Sequence, residues 1–182
     1  MNRKIGVRTI GVALLLFISF LAVAQPYHRL TPRDFAGNPA DDGFAAYTNC
    51  YVSYSYNTSR RNGVYNVNFN VQVFLNSNRS WIRFSDVKTQ EDMQSILTHE
   101  QGHYNMAYLM KNELYSVFNH HRYTSNYQAE IAALFRQVDA KYHQLNTDYE
   151  TQTQHMANYR NQQKWNLWFS KQLNNNEELA SN

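Results

Sequence analysis

Hydrophobic and polar positions along this chain change their period once, near its middle. Val52, Tyr54 and Tyr56 alternate with Tyr51, Ser53 and Ser55, and further on Tyr65, Val67, Phe69, Val71 and Val73 alternate with Asn66, Asn68, Asn70 and Gln72. Successive side chains of a strand point to opposite faces, so each run predicts a strand with one buried face and one wet, amide-rich face. Asn62-Gly63 lies between the two runs and is a hairpin signal. Residues 47–56 and 65–73 are therefore expected to pair. Residues 80–84, Ser-Trp-Ile-Arg-Phe, would add a short third strand to one antiparallel sheet.

Beyond residue 90 the period lengthens. Ile96, His103, Ala107, Met110, Leu114 and Val117 recur at helical spacing and share a face with His99, predicting a helix over about 92–117. A polar break at 119–126 follows, with Thr124 or Ser125 expected to cap the next helix. There Ile131, Leu134, Val138, Tyr142, Leu145 and Tyr149 step at three and four. Trp165, Trp168 and Phe169 mark a further helix over 159–173, and 174–182 reads as a polar tail. Strands first and helices after them make an α+β fold, an antiparallel sheet packed on long helices. Ahead of the sheet, 27–43 is dense in Pro, Gly and Asp and predicts a surface loop in which Asp34 serves a turn or cap.

The first residues have a separate logic. Arg3, Lys4 and Arg8 precede an apolar run at 10–24 that ends Ala22-Val23-Ala24. A basic start, a short apolar core and small residues at the end make a cleavable signal peptide over 1–24, and the run is too short for a spanning helix. The mature protein is expected to be secreted or periplasmic, with no membrane span after signal removal. A single domain over 25–173 would then carry the function. Of the 17 Lys+Arg set against 14 Asp+Glu, three belong to that segment, so the remainder is formally neutral. A neutral chain without a Lys/Arg cluster disfavours nucleic acid as a partner. Aromatic residues make up 15% of the chain and charged ones only 17%, which argues for a packed core over disorder. The lone Cys50 has no partner for an internal disulfide and reads as a strand residue.

The chemistry concentrates in His99-Glu100-Gln101-Gly102-His103, an H-E-x-x-H string inside the first predicted helix. Positions four apart lie on one helix face, so both imidazoles can ligate one zinc ion while Glu100 stands beside it to handle a water's proton. Gly102 costs about 1 kcal/mol of helix stability relative to Ala, which close approach of a neighbouring strand would explain. A catalytic zinc takes three protein ligands. Glu130 on the following helix is one candidate for the third, and His143 and His155 are others; His120 and His121 lie about 25 Å along the helix from His103, too far.

The stretch around His99-Glu100-Gln101-Gly102-His103-Tyr104 resembles a bacterial family of secreted proteins of unknown function predicted to be zinc-dependent proteases. The likeness continues in Asp34-Phe35-Ala36-Gly37-Asn38-Pro39, in Ala45-Ala46, in Ser80-Trp81, and in Tyr149-Glu150-Thr151-Gln152-Thr153-Gln154-His155 followed by Gln162 and Trp165. The resemblance implies a zincin-like fold with His155 as third ligand, ahead of Glu130. The chain departs from the family's pattern at Pro32, Asn105, Tyr108, Glu150 and Met156, where Trp, Asp, Glu, Asp and Gly are expected.

These readings converge on an exported zinc metallopeptidase acting on a peptide or protein substrate. Zn2+ would sit on His99, His103 and His155, with Glu100 as general base and Tyr149 or Tyr159 stabilising the transition state. The alternatives are an exported binding or structural module of the envelope and a zinc amidase acting on cell-wall peptides.

Overall fold

The structure, a computed structural model, describes residues 27–181, with side chains as far as Asn174. The signal segment expected over 1–24 lies outside the described residues. In chain order the elements are β1 (Ala46–Tyr47), β2 (Cys50–Arg61), β3 (Val64–Leu75), β4 (Trp81–Ile82), α1 (Gln90–His120), α2 (Tyr127–Thr153) and α3 (Tyr159–Ser181). This is an α+β fold, strands in the N-terminal half and helices after them. Among the described residues no helix is long and apolar enough to cross a membrane.

β2 and β3 form the expected hairpin, longer than the alternation alone suggested. Arg61 pairs with Val64, so Asn62 and Gly63 are the whole loop. Both have positive φ, 51° and 82°, the backbone that a two-residue turn matching the strand twist requires. The inner face of the hairpin buries Phe69, Val71 and Val73 against α1 and packs Val52, Tyr54 and Tyr56 beside them. Every position of the outer face is exposed to solvent.

The expected third strand joins a different sheet. Trp81–Ile82 pairs with Ala46–Tyr47 as a separate two-stranded antiparallel sheet. The turn at 76–80 diverts the chain. Both the Ser80 N–H and its hydroxyl donate to the Asn76 carbonyl at 2.9 Å, and the Asn49 N–H donates to Ser80 Oγ at 2.9 Å. Ser80 is fully buried by these bonds, and the strand that follows meets β1 instead of β3.

Thr89 and Asp92 set the start of α1. Thr89 Oγ1 accepts from the Asp92 N–H at 3.1 Å and the Asp92 carboxylate accepts from the Thr89 N–H at 2.8 Å, a reciprocal box that starts the helix at Gln90. α2 begins later than expected, at Tyr127 with Asn126 as its cap residue, because Thr124 bonds to the Glu130 carboxylate instead of capping. α3 continues helical to Ser181, past Leu173 where a polar tail was expected. α1 is the hub: it packs against the hairpin, α2, α3 and β1.

Residues 27–43 form a loop, as their composition suggests, but one fastened to α1. The Leu30 N–H donates to Gln101 Oε1 at 2.7 Å, Gln101 Nε2 donates to Tyr27 Oη and the His28 carbonyl, and Tyr27 Oη–H donates to Asn105 Oδ1 at 2.7 Å. Leu30 and Phe35 are buried beneath it with Val73, Ile82, Ile96 and Tyr104. Asp34 closes the loop's 3-10 turn, its carboxylate accepting from the Thr31 N–H at 2.7 Å.

Gly102 permits a close approach, although by a helix and not by a strand. A Cβ at this position would lie 2.3 Å from Tyr149 Oη and 2.5 Å from Tyr149 Cζ. Tyr149 comes from α2 and is wholly buried, so it has nowhere to retreat. Gly102→Ala should therefore destabilise the protein by about 1–3 kcal/mol despite the helix propensity it gains. Urea denaturation measures this, and a stabilised variant would contradict the packing described.

Candidate metal centre

His99 and His103 lie one turn apart on the inward face of α1, and α2 brings Glu150 between them. His103 Nε2 stands 2.6 Å from Glu150 Oε1, and His99 Nε2 stands 3.5 Å from the same oxygen. One ligand atom from each of the three residues lies within 4.8 Å of the others. The three converge on a single point.

The ring nitrogens that face away from this point are already assigned. His99 Nδ1–H donates to Gln162 Oε1 at 3.1 Å, and His103 Nδ1–H donates to Asn146 Oδ1 at 2.7 Å. An amide oxygen can only accept, so both rings keep a proton on Nδ1 and direct Nε2 inward, where His103 Nε2–H donates to Glu150 and a metal ion would take that proton's place. The network around Gln162 fixes its orientation. Its Nε2 donates to Tyr149 Oη at 2.8 Å and to Asn166 Oδ1 at 2.9 Å, while Tyr149 Oη–H donates to the His99 carbonyl at 2.8 Å. Tyr149 also stacks on the His99 ring at 4.9 Å and meets the His103 ring edge-on at 5.2 Å.

Electrostatics follow the burial. Burial pulls His103 towards the neutral form, but its hydrogen bond to Glu150 and the charges of Glu100 and Glu150 outweigh this and raise its pKa. Burial likewise raises Glu150, and the hydrogen bonds and charges of His103 and His99 more than offset it, so this carboxyl is held well below the usual range. The centre keeps an ionised carboxylate ready for a cation. Cys50 contributes nothing reactive: burial first, then the Glu100 charge, push its thiol up to about 12, and its S–H points at the His103 carbonyl at 3.6 Å.

The fit of a metal ion to these residues rests on unpaired atoms. Buried side-chain oxygens in native folds are nearly always hydrogen-bonded. Among the described residues Thr48 Oγ1 and Glu100 Oε2 have no partner and Glu150 Oε2 has only the ion-pair contact with His155, and all three residues line one cavity of about 530 Å3. Two imidazole nitrogens and a carboxylate, with the unpaired Glu100 Oε2 alongside, form a donor set that could hold a metal ion with an open position. The residues fit the ion.

The structure gathers His99, Glu100 and His103 as their spacing predicts. Glu150, the third member of the cluster, was visible in the sequence only as a departure from the family's Asp. His155 follows α2 in a left-handed turn with φ 51°, and its Nδ1 meets Glu150 Oε2 from the cavity rim while its ring packs on Phe44 at 4.6 Å. It touches the cluster through Glu150 and stands outside the group of three. Glu130 does not reach the site: it lies some 30 Å back along α2, bonded to Thr124 and His121. Tyr149 faces the wrong way for the role expected of it, because its hydroxyl is spent on the α1 backbone and Gln162. Tyr159 is 73% exposed at the start of α3 and does not line the cavity. Asn105 and Tyr108, which stand where acidic residues were expected, face the N-terminal segment: Asn105 accepts from Tyr27, and Tyr108 packs edge-on against the Tyr27 ring at 5.3 Å.

The profile of a family described as bacterial protein of unknown function (DUF922) matches residues 24–156, and the chain belongs to that family. No curated protein and no solved structure matches it.

Asn146→Leu and Gln162→Leu each remove the acceptor that fixes a histidine tautomer. Either change should lower the affinity for a divalent metal ion about 10–100-fold, as read by competition with a chromophoric chelator. Unchanged affinity in both would mean that the two amides do not orient the ligands.

Proposed function

We propose that this DUF922 member is an exported, zinc-dependent peptidase with His99, His103 and Glu150 as the protein ligands. The observation that carries the reading is the convergence of two Nε2 atoms and the half-buried Glu150 carboxylate beside the partnerless Glu100 Oε2, all in the wall of one cavity. When bound, zinc supplies a Lewis acid that lowers the pKa of a water and polarises a carbonyl.

Glu100 is the general base. It is 3% exposed and follows His99 directly, and its free oxygen can take the proton of a water held at the cavity wall and return it to the leaving amine. His155 stands across Glu150 at the rim, where it holds the second carboxylate oxygen and leaves the ligating one to the cluster.

The cavity's course favours an extended peptide as substrate. Cys50 and Val52 belong to one face of β2 and Tyr51 to the other, yet all three line the cavity. Both faces can border one cavity only where it runs along the strand's edge. Among the described residues β2 pairs with β3 alone, so its other edge offers N–H and C=O groups to a substrate strand. Export rests on the signal segment read at 1–24.

Glu100→Gln should keep stoichiometric zinc and lose peptide-library hydrolysis by about 100-fold or more. Retained cleavage in that variant would sink the mechanism. Metal content decides the ligand set: Glu150→Ala should lose zinc, and Glu130→Ala should match the wild type. If His155→Ala loses zinc and Glu150→Ala keeps it, the third ligand is His155.

A further inference from the structure

We infer that the outward face of the β2–β3 hairpin docks a neutral polysaccharide. The register places five cross-strand pairs on this face: Tyr51 with Phe74, Ser53 with Gln72, Ser55 with Asn70, Asn57 with Asn68, and Ser59 with Asn66. All ten residues are exposed, and none carries a charge. Among the described residues, no side chain of the eight polar ones has a hydrogen-bond partner. The strip is about 27 Å long at roughly 3.4 Å per residue.

Exposed sheet faces ordinarily intersperse Lys, Glu and Arg, which keep them soluble and unpaired. Here charge returns only at the hairpin tip, with Arg61. At the opposite end Tyr51 and Phe74 stack at 5.3 Å with 18° between their planes, 52% and 41% exposed. Tyr51 is also a wall of the metal cavity, so the strip runs into that cavity without a break.

Three classes of partner can be compared on this chemistry. A nucleic acid or an anionic glycan needs cations, and the strip has none. A protein partner needs an apolar centre to offset the desolvation of eight amide and hydroxyl groups, and Tyr51 with Phe74 supply one end only. A neutral pyranose chain needs flat aromatic faces for its C–H surfaces, and groups that both donate and accept for its hydroxyls. The ring surface that Tyr51 and Phe74 leave exposed, followed by Ser, Asn and Gln side chains, provides both. This docking does not depend on the metal centre.

The test is retention of the mature protein on insoluble cellulose, chitin and β-1,3-glucan, with and without a chelator. We expect retention on at least one polymer, unchanged by chelator and by Glu100→Gln. Tyr51→Ala with Phe74→Ala should weaken it about tenfold, the value of two lost stacking contacts. Asn68→Ala with Asn70→Ala should weaken it as well. The substituted residues are all exposed, so thermal midpoints that stay at the wild-type value separate a binding defect from unfolding. The inference is overturned by no retention on any polymer, by equal retention in both double variants, or by retention that the chelator abolishes. It is also overturned if the same substitutions abolish self-association of the protein, which would make the face a contact between copies.

Discussion

The site depends on one close approach, that of the Tyr149 ring to the backbone of α1 at Gly102. With no Cβ in the way, the ring lies flat against His99, edge-on to His103, and its hydroxyl reaches the His99 carbonyl. The contact fixes both the separation and the rotation of α2 relative to α1. Asn146 and Glu150, near neighbours of Tyr149 on α2, are then carried to His103 Nδ1 and to the two Nε2 atoms. Any larger residue at 102 would move the carboxylate along with the tyrosine.

Much of this was legible in the sequence. The two-fold alternation gave the hairpin and its inner face, because burial of one face is a local property of a strand. Asn62-Gly63 gave the turn, and H-E-x-x-H placed two imidazoles on one face with Glu100 beside them, because a helix repeats its geometry at every turn. The regularity that made those inferences safe made the third ligand ambiguous. Along a 27-residue helix, acids at many positions satisfy a helical spacing, and the candidates read from it include Glu130 but not Glu150. Which one faces His99 is set by the register between α1 and α2, and that register resides in the Gly102–Tyr149 contact, which no local pattern encodes. Tyr149 itself was read correctly as part of an apolar stripe, but the direction of its hydroxyl was invisible. The split of the strands into two sheets was equally hidden, since it rests on Ser80 closing a turn on Asn76.

Each letter of the motif has a separate task. His99 and His103 aim their Nε2 atoms inward, and Glu100 keeps an oxygen free. Gly102 admits Tyr149, and Gln101 ties α1 to the N-terminal segment through Leu30, His28 and Tyr27. Asn105 and Tyr108 extend that last task along the same side of the helix. Residues between the ligands thus decide what the ligand helix is packed against.

The third helix enters the site through a single side chain. Gln162 accepts from His99 and donates to Tyr149, yet α3 is joined to α2 by Gln154, His155 and Met156, non-glycine residues with φ of 51°, 51° and 71°. Left-handed backbone at such residues costs about 1–2 kcal/mol each, so the joint opposes the docking that its own chain requires. Occupancy at His99 Nε2 and seating of α3 are therefore linked functions. An ion that prefers the oriented imidazole draws α3 into place, and by reciprocity a seated α3 raises the ion's affinity by the same factor. The last helix acts as a thermodynamic counterweight to the strained joint, and a metal ion bound at His99 would tip the balance further towards the seated helix.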